Sequence, residues 1–362
     1  MNMNSPHSCC CFIAPPDLLA RLAQEGDAAE RKAAIQTLSS SASIRARRSF
    51  LTAMLQKDAT RGAAMSLIGA IVAEQRTVYD VQHKGQSALP GKKVRGEGDP
   101  DSSDVSVNEA YDGAGKTFDF YDQVLGRNSI DDEGMEIISS VHYGVGFDNA
   151  FWNGGQMVYG DGSGRIFIEG GLTKSLDVIG HELTHGVTQF TAGLQYSKQS
   201  GALNESCSDV FGSLVKQFSL GQTADQADWL IGEGILVPAL GKALRSMKAP
   251  GTAFQGDNQP AHMDDYRDLP DDNDPRNDNG GVHINSGIPN KAFYNAAAAI
   301  GGNAWEKAGK IWYKTLTEKT DPDTQFAAFA QATVDAAGEL YSAGGDEQNA
   351  VQSAWQEVGV LS

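Results

Sequence analysis

Cysteine is scarce in this chain. There are 4 among 362 residues, three of them consecutive at Cys9, Cys10 and Cys11 and the fourth at Cys207, a spacing that excludes an ordinary two-disulfide framework. Long apolar runs are also missing. The longest, Ala63 to Ala73 with Ser66 inside it, is about 11 residues, against the roughly 20 needed to cross a bilayer, so no membrane span is expected. Positive charge is outnumbered: 29 Lys and Arg face 46 Asp and Glu, for a net charge of −17. That balance argues against nucleic acid as a partner, because a phosphate backbone is held by clustered cations. The first residues show no basic stretch followed by an apolar segment, so no standard secretory signal is visible.

What is present is ordinary globular composition, 40% hydrophobic and 21% charged, with length for about two domains. A chain of this size buries enough surface to hold a core without metal or disulfide, so a metal site in it is to be read as chemistry. Charge is unevenly spread. Residues 1–50 carry six basic and four acidic side chains, net +2, which leaves −19 on the other 312. A short basic segment ahead of an acidic body fits a docked prosegment, assigned here to residues 1–60 with its boundary between 44 and 76. Within it Asp17 is expected to cap a helix carrying Leu18, Leu19 and Leu22, and a second helix is expected over Asp27 to Leu38, broken by the serines at 39–43. From Arg76 to about Ile168, short β-branched and aromatic runs (Thr77–Val81, Thr117–Tyr121, Gln156–Tyr159, Arg165–Ile168) predict strands. After Asp177 the period turns helical, with helices expected at Pro289–Ile300, Ala304–Leu316, Thr324–Leu340 and Asp346–Val358.

His181-Glu182-Leu183-Thr184-His185 is the sharpest signal. Two imidazoles at i and i+4 lie on one helix face, one turn apart, where both reach one Zn²⁺. Glu182 beside them is suited to take a proton from a zinc-activated water. A third ligand must come from elsewhere. Thr188 and Thr191 stand where a metzincin would need Gly and His, and the order of residues excludes an inverted motif. Glu205 and Asp209, at i and i+4 on a following helix, suit a metal ligand and a carboxylate that steadies a ligand histidine.

These motifs, with Gly193-Leu194-Gln195-Tyr196, Gly201-Ala202-Leu203-Asn204-Glu205 and Asp278-Asn279-Gly280-Gly281-Val282-His283-Ile284-Asn285-Ser286-Gly287, resemble the thermolysin-like (M4) zinc endopeptidases from about Arg76 to the C-terminus. Ala14-Pro15-Pro16-Asp17-Leu18-Leu19 resembles the compact propeptide of the protealysin subgroup. The resemblance implies an α+β, two-lobed zincin: a strand-rich N-terminal lobe over 61–180, a mainly helical C-terminal lobe over 181–362, and the zinc helix between them. It makes His181, His185 and Glu205 the ligands of one catalytic Zn²⁺ and Glu182 the base. His283, its tautomer set by Asp278, and Tyr196 would stabilise the oxyanion. Asn149, Ala150 and Trp152 would bind the substrate backbone by strand addition, Arg245 would hold a carbonyl past the cut, and Phe167, Val178 and Leu244 would wall an apolar pocket that favours a bulky residue there.

The resemblance further implies peptide and protein substrates, a prosegment acting as intramolecular inhibitor or chaperone, a monomer, and secretion, with a cytoplasmic enzyme as the alternative. Where the family often binds two calcium ions, Asp177, Asp228 and Glu233 match but Lys216 and Leu230 replace acids, so a double-calcium site is not expected, and Lys216 is expected to pair with the carboxylates instead. Cys11 is the candidate to hold the precursor latent as a thiolate on the zinc. Maturation is expected between Ile44 and Arg76, near Arg45, Arg47, Arg48 or Arg61. Two rivals stay open: an aminopeptidase, for which no Gly-x-Met-Glu-Asn motif is present, and a non-catalytic zinc protein indifferent to Glu182→Gln.

Overall fold

The computed structural model describes residues 11–58, 74–272 and 274–362. Cys9, Cys10, Arg61 and the Ala63–Ala73 run lie outside them.

The first described residues form strand β1 (Cys11–Phe12), followed by helices α1 (Pro16–Glu25) and α2 (Ala28–Asp58). Pro15 occupies the N-cap of α1 and Pro16 its first position, where a missing N–H costs nothing. Asp17 therefore stands in the first turn and not at the cap the sequence suggested. Asp27 opens α2 with a capping box: its Oδ1 accepts from the amides of Ala29 and Glu30, and Glu30 returns a bond to the Asp27 amide. The serines at 39–43 do not end this helix. Ser43 hydroxyl donates back to Ser39 carbonyl, and Thr37, Ser41 and Ile44 are buried, so packing overrides a stretch of weak helix formers.

Strands β2 (Arg76–Asp80), β3 (Lys92–Gly96), β4 (Ile137–Val141), β5 (Ala150–Trp152) and β6 (Met157–Tyr159) join β1 in a six-stranded sheet of order β1-β5-β6-β4-β2-β3. The pairs β2–β4 and β4–β6 are parallel and the rest antiparallel. The N-terminal residues thus supply an edge strand to the sheet: Cys11 lies opposite Trp152 and Phe12 opposite Phe151.

Thr117–Tyr121 is not a strand. It lies in helix α3 (Val105–Leu125), capped by Asp104 and closed by Gly126 in the left-handed region. Ala110, Ala114, Thr117, Phe118 and Tyr121 recur at three- and four-residue spacing and are all buried, a helical stripe that outweighs the strand preference of the aromatics. Arg165–Ile168 also forms no strand, only an isolated bridge from Phe167 to Leu236.

The second half is helical, as its period predicts. It comprises α4 (Gly171–Lys174), α5 (Leu176–Gln189), α6 (Lys198–Leu220), a two-stranded ribbon of β7 (Leu230–Ile231) and β8 (Arg245–Ser246), and α7 (Asp278–Asn285), α8 (Gly287–Ile300), α9 (Ala308–Glu318), α10 (Phe326–Leu340) and α11 (Asp346–Glu357). The molecule is therefore mixed α and β, strand-rich before α5 and helical after it. Helix α5 straddles residue 181 and is buried from Asp177 to Thr188. It packs closely on α6: a Cβ on Gly212 would lie 2.4 Å from Asp177 carbonyl oxygen, so only glycine allows the approach. That approach sets the two chemistry-bearing helices side by side.

Candidate active site

On α5, His181 and His185 face Glu205 of α6, and among the described residues these three alone form a metal-competent group, with ligand atoms all within 4.8 Å of one another. Each imidazole is oriented from behind. His181 Nδ1 bonds Asp209 Oδ1 at 2.8 Å and His185 Nδ1 bonds Asn204 Oδ1 at 2.8 Å, while Asn204 Nδ2 donates to Leu194 carbonyl and so fixes the amide. Donation from Nδ1 leaves both Nε2 atoms as lone-pair donors, and these face each other at 3.0 Å. Two buried lone pairs so close, beside a Glu205 Oε2 that has no hydrogen-bond partner, are what a shared cation reconciles. Two imidazoles and a carboxylate are the donor set of an open catalytic zinc site.

Glu182 lies beside the ligands, fully buried. Its Oε2 accepts from the Trp152 amide at 2.9 Å and its Oε1 has no partner. Burial pushes its carboxyl up to about 8, so it holds a proton more readily than an exposed glutamate.

His283 reaches the cluster through an unusual turn. Asp278 to Gly281 all have positive φ, from 50° to 84°, and Lys198 and Asn285 each lie 2.6 Å from where a Cβ on Gly280 or Gly281 would stand. This left-handed run swings the Asp278 carboxylate under the following helix start. Its Oδ2 accepts from the amides of His283 and Ile284, and its Oδ1 bonds His283 Nδ1 at 2.6 Å. Burial opposes charge on His283, but Glu205 and Asp278 outweigh it and hold the imidazole up to about 9. Tyr196 hydroxyl donates to Glu205 Oε1 and lies 3.2 Å from His283 Nε2.

Arg245, on β8 and 1% exposed, makes a two-point bond to Asp209, with Nε and Nη2 each at 2.8 Å. Burial pushes Asp209 up, yet Arg245 and His181 hold it down to about 2. Phe167, Val178 and Leu244 are fully buried in the same core as Ile13.

The N-terminal residues Phe12 to Ala14 bond to several members of this constellation. Phe12 carbonyl accepts from His283 Nε2 at 2.9 Å, the Ile13 amide donates to Ala150 carbonyl at 3.1 Å, Ile13 carbonyl accepts from Arg245 Nη1 at 3.2 Å, and the Ala14 amide donates to Asn149 Oδ1 at 2.9 Å. Cys11, expected on the metal, is not in the metal-competent group: it faces Trp152 on β1 and is disulfide-bonded. Among the described residues of this segment, the groups hydrogen-bonded to His283, Ala150, Arg245 and Asn149 are main-chain carbonyls and amides, because adding a strand to an edge delivers backbone.

Several partners escaped the sequence reading. Asn204, within Gly201–Glu205, orients His185, a role its place in the motif does not announce. Asn290 Nδ2 bonds Asp209 Oδ2 at 2.8 Å and Gln259 Nε2 bonds His283 carbonyl at 2.7 Å, from residues with no local signal. Lys216, expected to pair with nearby carboxylates, has its Nζ 2.7 Å from Asp228, 3.2 Å from Asp177 and 4.0 Å from Glu233.

Comparison with known proteins agrees with this geometry. Residues 52–189 match the family described as thermolysin metallopeptidase, catalytic domain, and residues 192–360 its alpha-helical domain. The chain belongs to the thermolysin metallopeptidase family. It is 46% identical over 357 residues to the extracellular metalloprotease of Pectobacterium carotovorum subsp. carotovorum, covering 97% of this chain and 96% of that protein. It is 53% identical over 292 residues to protease PrtS of Photorhabdus sp. (strain Az29), covering 79% and 76%. Among solved structures it resembles the precursor of protealysin, a metalloproteinase from Serratia proteamaculans, with a TM-score of 0.83, 47% identity, and coverage of 97% of this chain and 100% of that one. The chain is thus a zinc metalloendopeptidase of the thermolysin type in precursor form. Among the described residues no helix is long and apolar enough to cross a membrane.

Proposed function

We propose that this enzyme cuts peptide bonds on the amino side of bulky hydrophobic residues and that its prosegment blocks the cleft until removed. The observation that carries the reading is the seating of Phe12–Ala14: a backbone bonded to Ala150, Asn149, Arg245 and His283, with Ile13 fully buried in the same core as Phe167, Val178 and Leu244. A substrate strand would replace β1 on the edge of β5 and reuse those bonds. His181, His185 and Glu205 would hold zinc, which when bound supplies a water of lowered pKa and polarises the carbonyl.

The remaining steps belong to the protein. Glu182 takes the proton from the attacking water and delivers it to the leaving amine, aided by burial that favours its protonated form. His283 and Tyr196 donate hydrogen bonds to the oxygen that gains charge, and Asp278 keeps His283 protonated and aimed. Arg245 grips the next carbonyl, while Phe167, Val178 and Leu244 receive the side chain after the cut. Secretion is supported by the name of the Pectobacterium relative, extracellular metalloprotease.

Peptides differing only after the cut test the preference. Leu or Ile there should exceed Gly in kcat/KM by at least about tenfold, the discrimination an apolar pocket supplies; equal rates, or preference for a charged residue, would reject it.

A further inference from the structure

The Phe12–Ile13 peptide bond is held on both sides by groups that the reading above gives to a substrate: His283 on the carbonyl before it, Ala150 and Arg245 on the residue after it. Its carbonyl oxygen sits on His283 Nε2 at 2.9 Å, the donor assigned to the oxyanion, with Tyr196 hydroxyl 3.2 Å from that same nitrogen. Its nitrogen side is equally engaged, since the Ile13 amide donates to Ala150 carbonyl and Ile13 carbonyl lies on Arg245. Glu182 keeps one buried carboxylate oxygen without a hydrogen-bond partner, and its other oxygen is held by Trp152, which pairs with Cys11. A segment that merely obstructed the cleft would not need its carbonyl on the oxyanion donor and its next two polar groups on the substrate-binding edge.

We infer that the prosegment is also a substrate, and that the docked precursor hydrolyses its own Phe12–Ile13 bond. Water adds its oxygen to the Phe12 carbonyl carbon, the C–N bond breaks, and both protons of the water end on the Ile13 nitrogen, carried there by Glu182. The products are a carboxylate on Phe12 and an ammonium on Ile13. The cut releases residues 1–12 and clears the half of the cleft before the scissile position. Ile13–Leu19 stay anchored through Arg245, Asn149 and the buried Leu18 and Leu19, so the second half clears only when the rest of the prosegment leaves. This cut is distinct from separation of prosegment and body beyond Ile44. The inference rests on the endopeptidase reading above.

The test uses the full-length chain, stripped of metal and restarted with Zn²⁺, sampled over time and analysed by intact mass under reducing conditions and by N-terminal sequencing. A parallel aliquot is assayed on a quenched, end-blocked peptide. The expected result is a species beginning at Ile13, formed before any product that starts beyond Ile44. Its rate constant should be unchanged across a tenfold or wider range of protein concentration and fall at least about a hundredfold in Glu182→Gln, as loss of a general base does. Persistence of the Phe12–Ile13 bond until the prosegment is lost elsewhere, a rate proportional to concentration, or an unchanged cut in Glu182→Gln would each overturn the inference. Peptide cleavage without the Ile13 species overturns only this inference; absence of both overturns the endopeptidase reading as well.

Discussion

His181 and Arg245 hang from one carboxylate. Asp209 Oδ1 accepts from His181 Nδ1 at 2.8 Å, and the same group takes the Arg245 fork at 2.8 Å on both oxygens, with Asn290 adding a fourth bond. Metal binding and grip on the substrate backbone therefore share a pivot. Asp209→Asn is expected to lower zinc affinity by about 10- to 100-fold in chelator competition and to raise KM, because Arg245 loses its charge partner. Zinc affinity equal to that of the parent would disprove the shared role.

Asp17 gives prosegment docking a pH dependence. Burial, with the Asp278 carboxylate nearby, pushes it up to about 6 against the pull of His283, and its Oδ1 has no partner. The docked segment thus binds a proton that the free segment, with an ordinary carboxyl, does not. Docking is strongest in acid and weakens as pH rises toward and through 6, by about tenfold between pH 5 and 7, with little further change above. Inhibition constants for a separate prosegment peptide added to mature enzyme should follow that course. Asp17→Asn should flatten it and bind more tightly at pH 7; an unchanged profile in the variant would refute it.

Lys216 stands among Asp177, Asp228 and Glu233, with Asp177 only 1% exposed. Lys216→Met should cost roughly 1–3 kcal/mol, since it leaves like charges facing one another around a buried carboxylate, and thermal melts should show it. Lys216→Glu should be less stable still in EGTA and regain stability with millimolar Ca²⁺, whereas the parent melts alike in both. A parent whose melting temperature drops in EGTA would contradict this arrangement.

His142 bridges Asp161 at 2.7 Å and Asp104, the cap of α3, at 2.8 Å. The Asp161 bond, with the Asp104 bond behind it and against the pull of burial, raises the imidazole to about 9. Its folded value exceeds its unfolded value, so its contribution is complete below about pH 6.5 and is lost as pH rises through 9. Urea melts between pH 6 and 9.5 should show that decline in the parent and a shallower one in His142→Gln. Parallel curves would argue that the bridge is inert.

What was legible in the sequence is what local geometry encodes. His181, Glu182 and His185 within one helix turn, and Glu205 with Asp209 one turn apart, state their faces directly. The four C-terminal helices followed from their period, to within a few residues at each end. Thr117–Tyr121 misled because its aromatics suit strands, and only contact with the zinc helix and its neighbours decides for helix. The serines at 39–43 misled likewise, since their burial lies in the tertiary structure. Cys11 drew attention as a reactive side chain, while Phe12 and Ile13 reach the site through main-chain carbonyls that no residue pattern announces. Asn290 and Gln259 act across the fold and carry no motif.

The central claim, hydrolysis by a Glu182-assisted zinc site, is tested most directly by Glu182→Gln. Its zinc content should be measured beside its rate on an internally quenched, end-blocked peptide with Leu after the expected cut, once the prosegment has been removed by an added protease. The parent should cleave internally and lose activity to 1,10-phenanthroline, and the variant should retain stoichiometric zinc with activity lower by at least about a hundredfold. Equal rates in parent and variant, or no cleavage by zinc-loaded parent freed of its prosegment, would contradict the account.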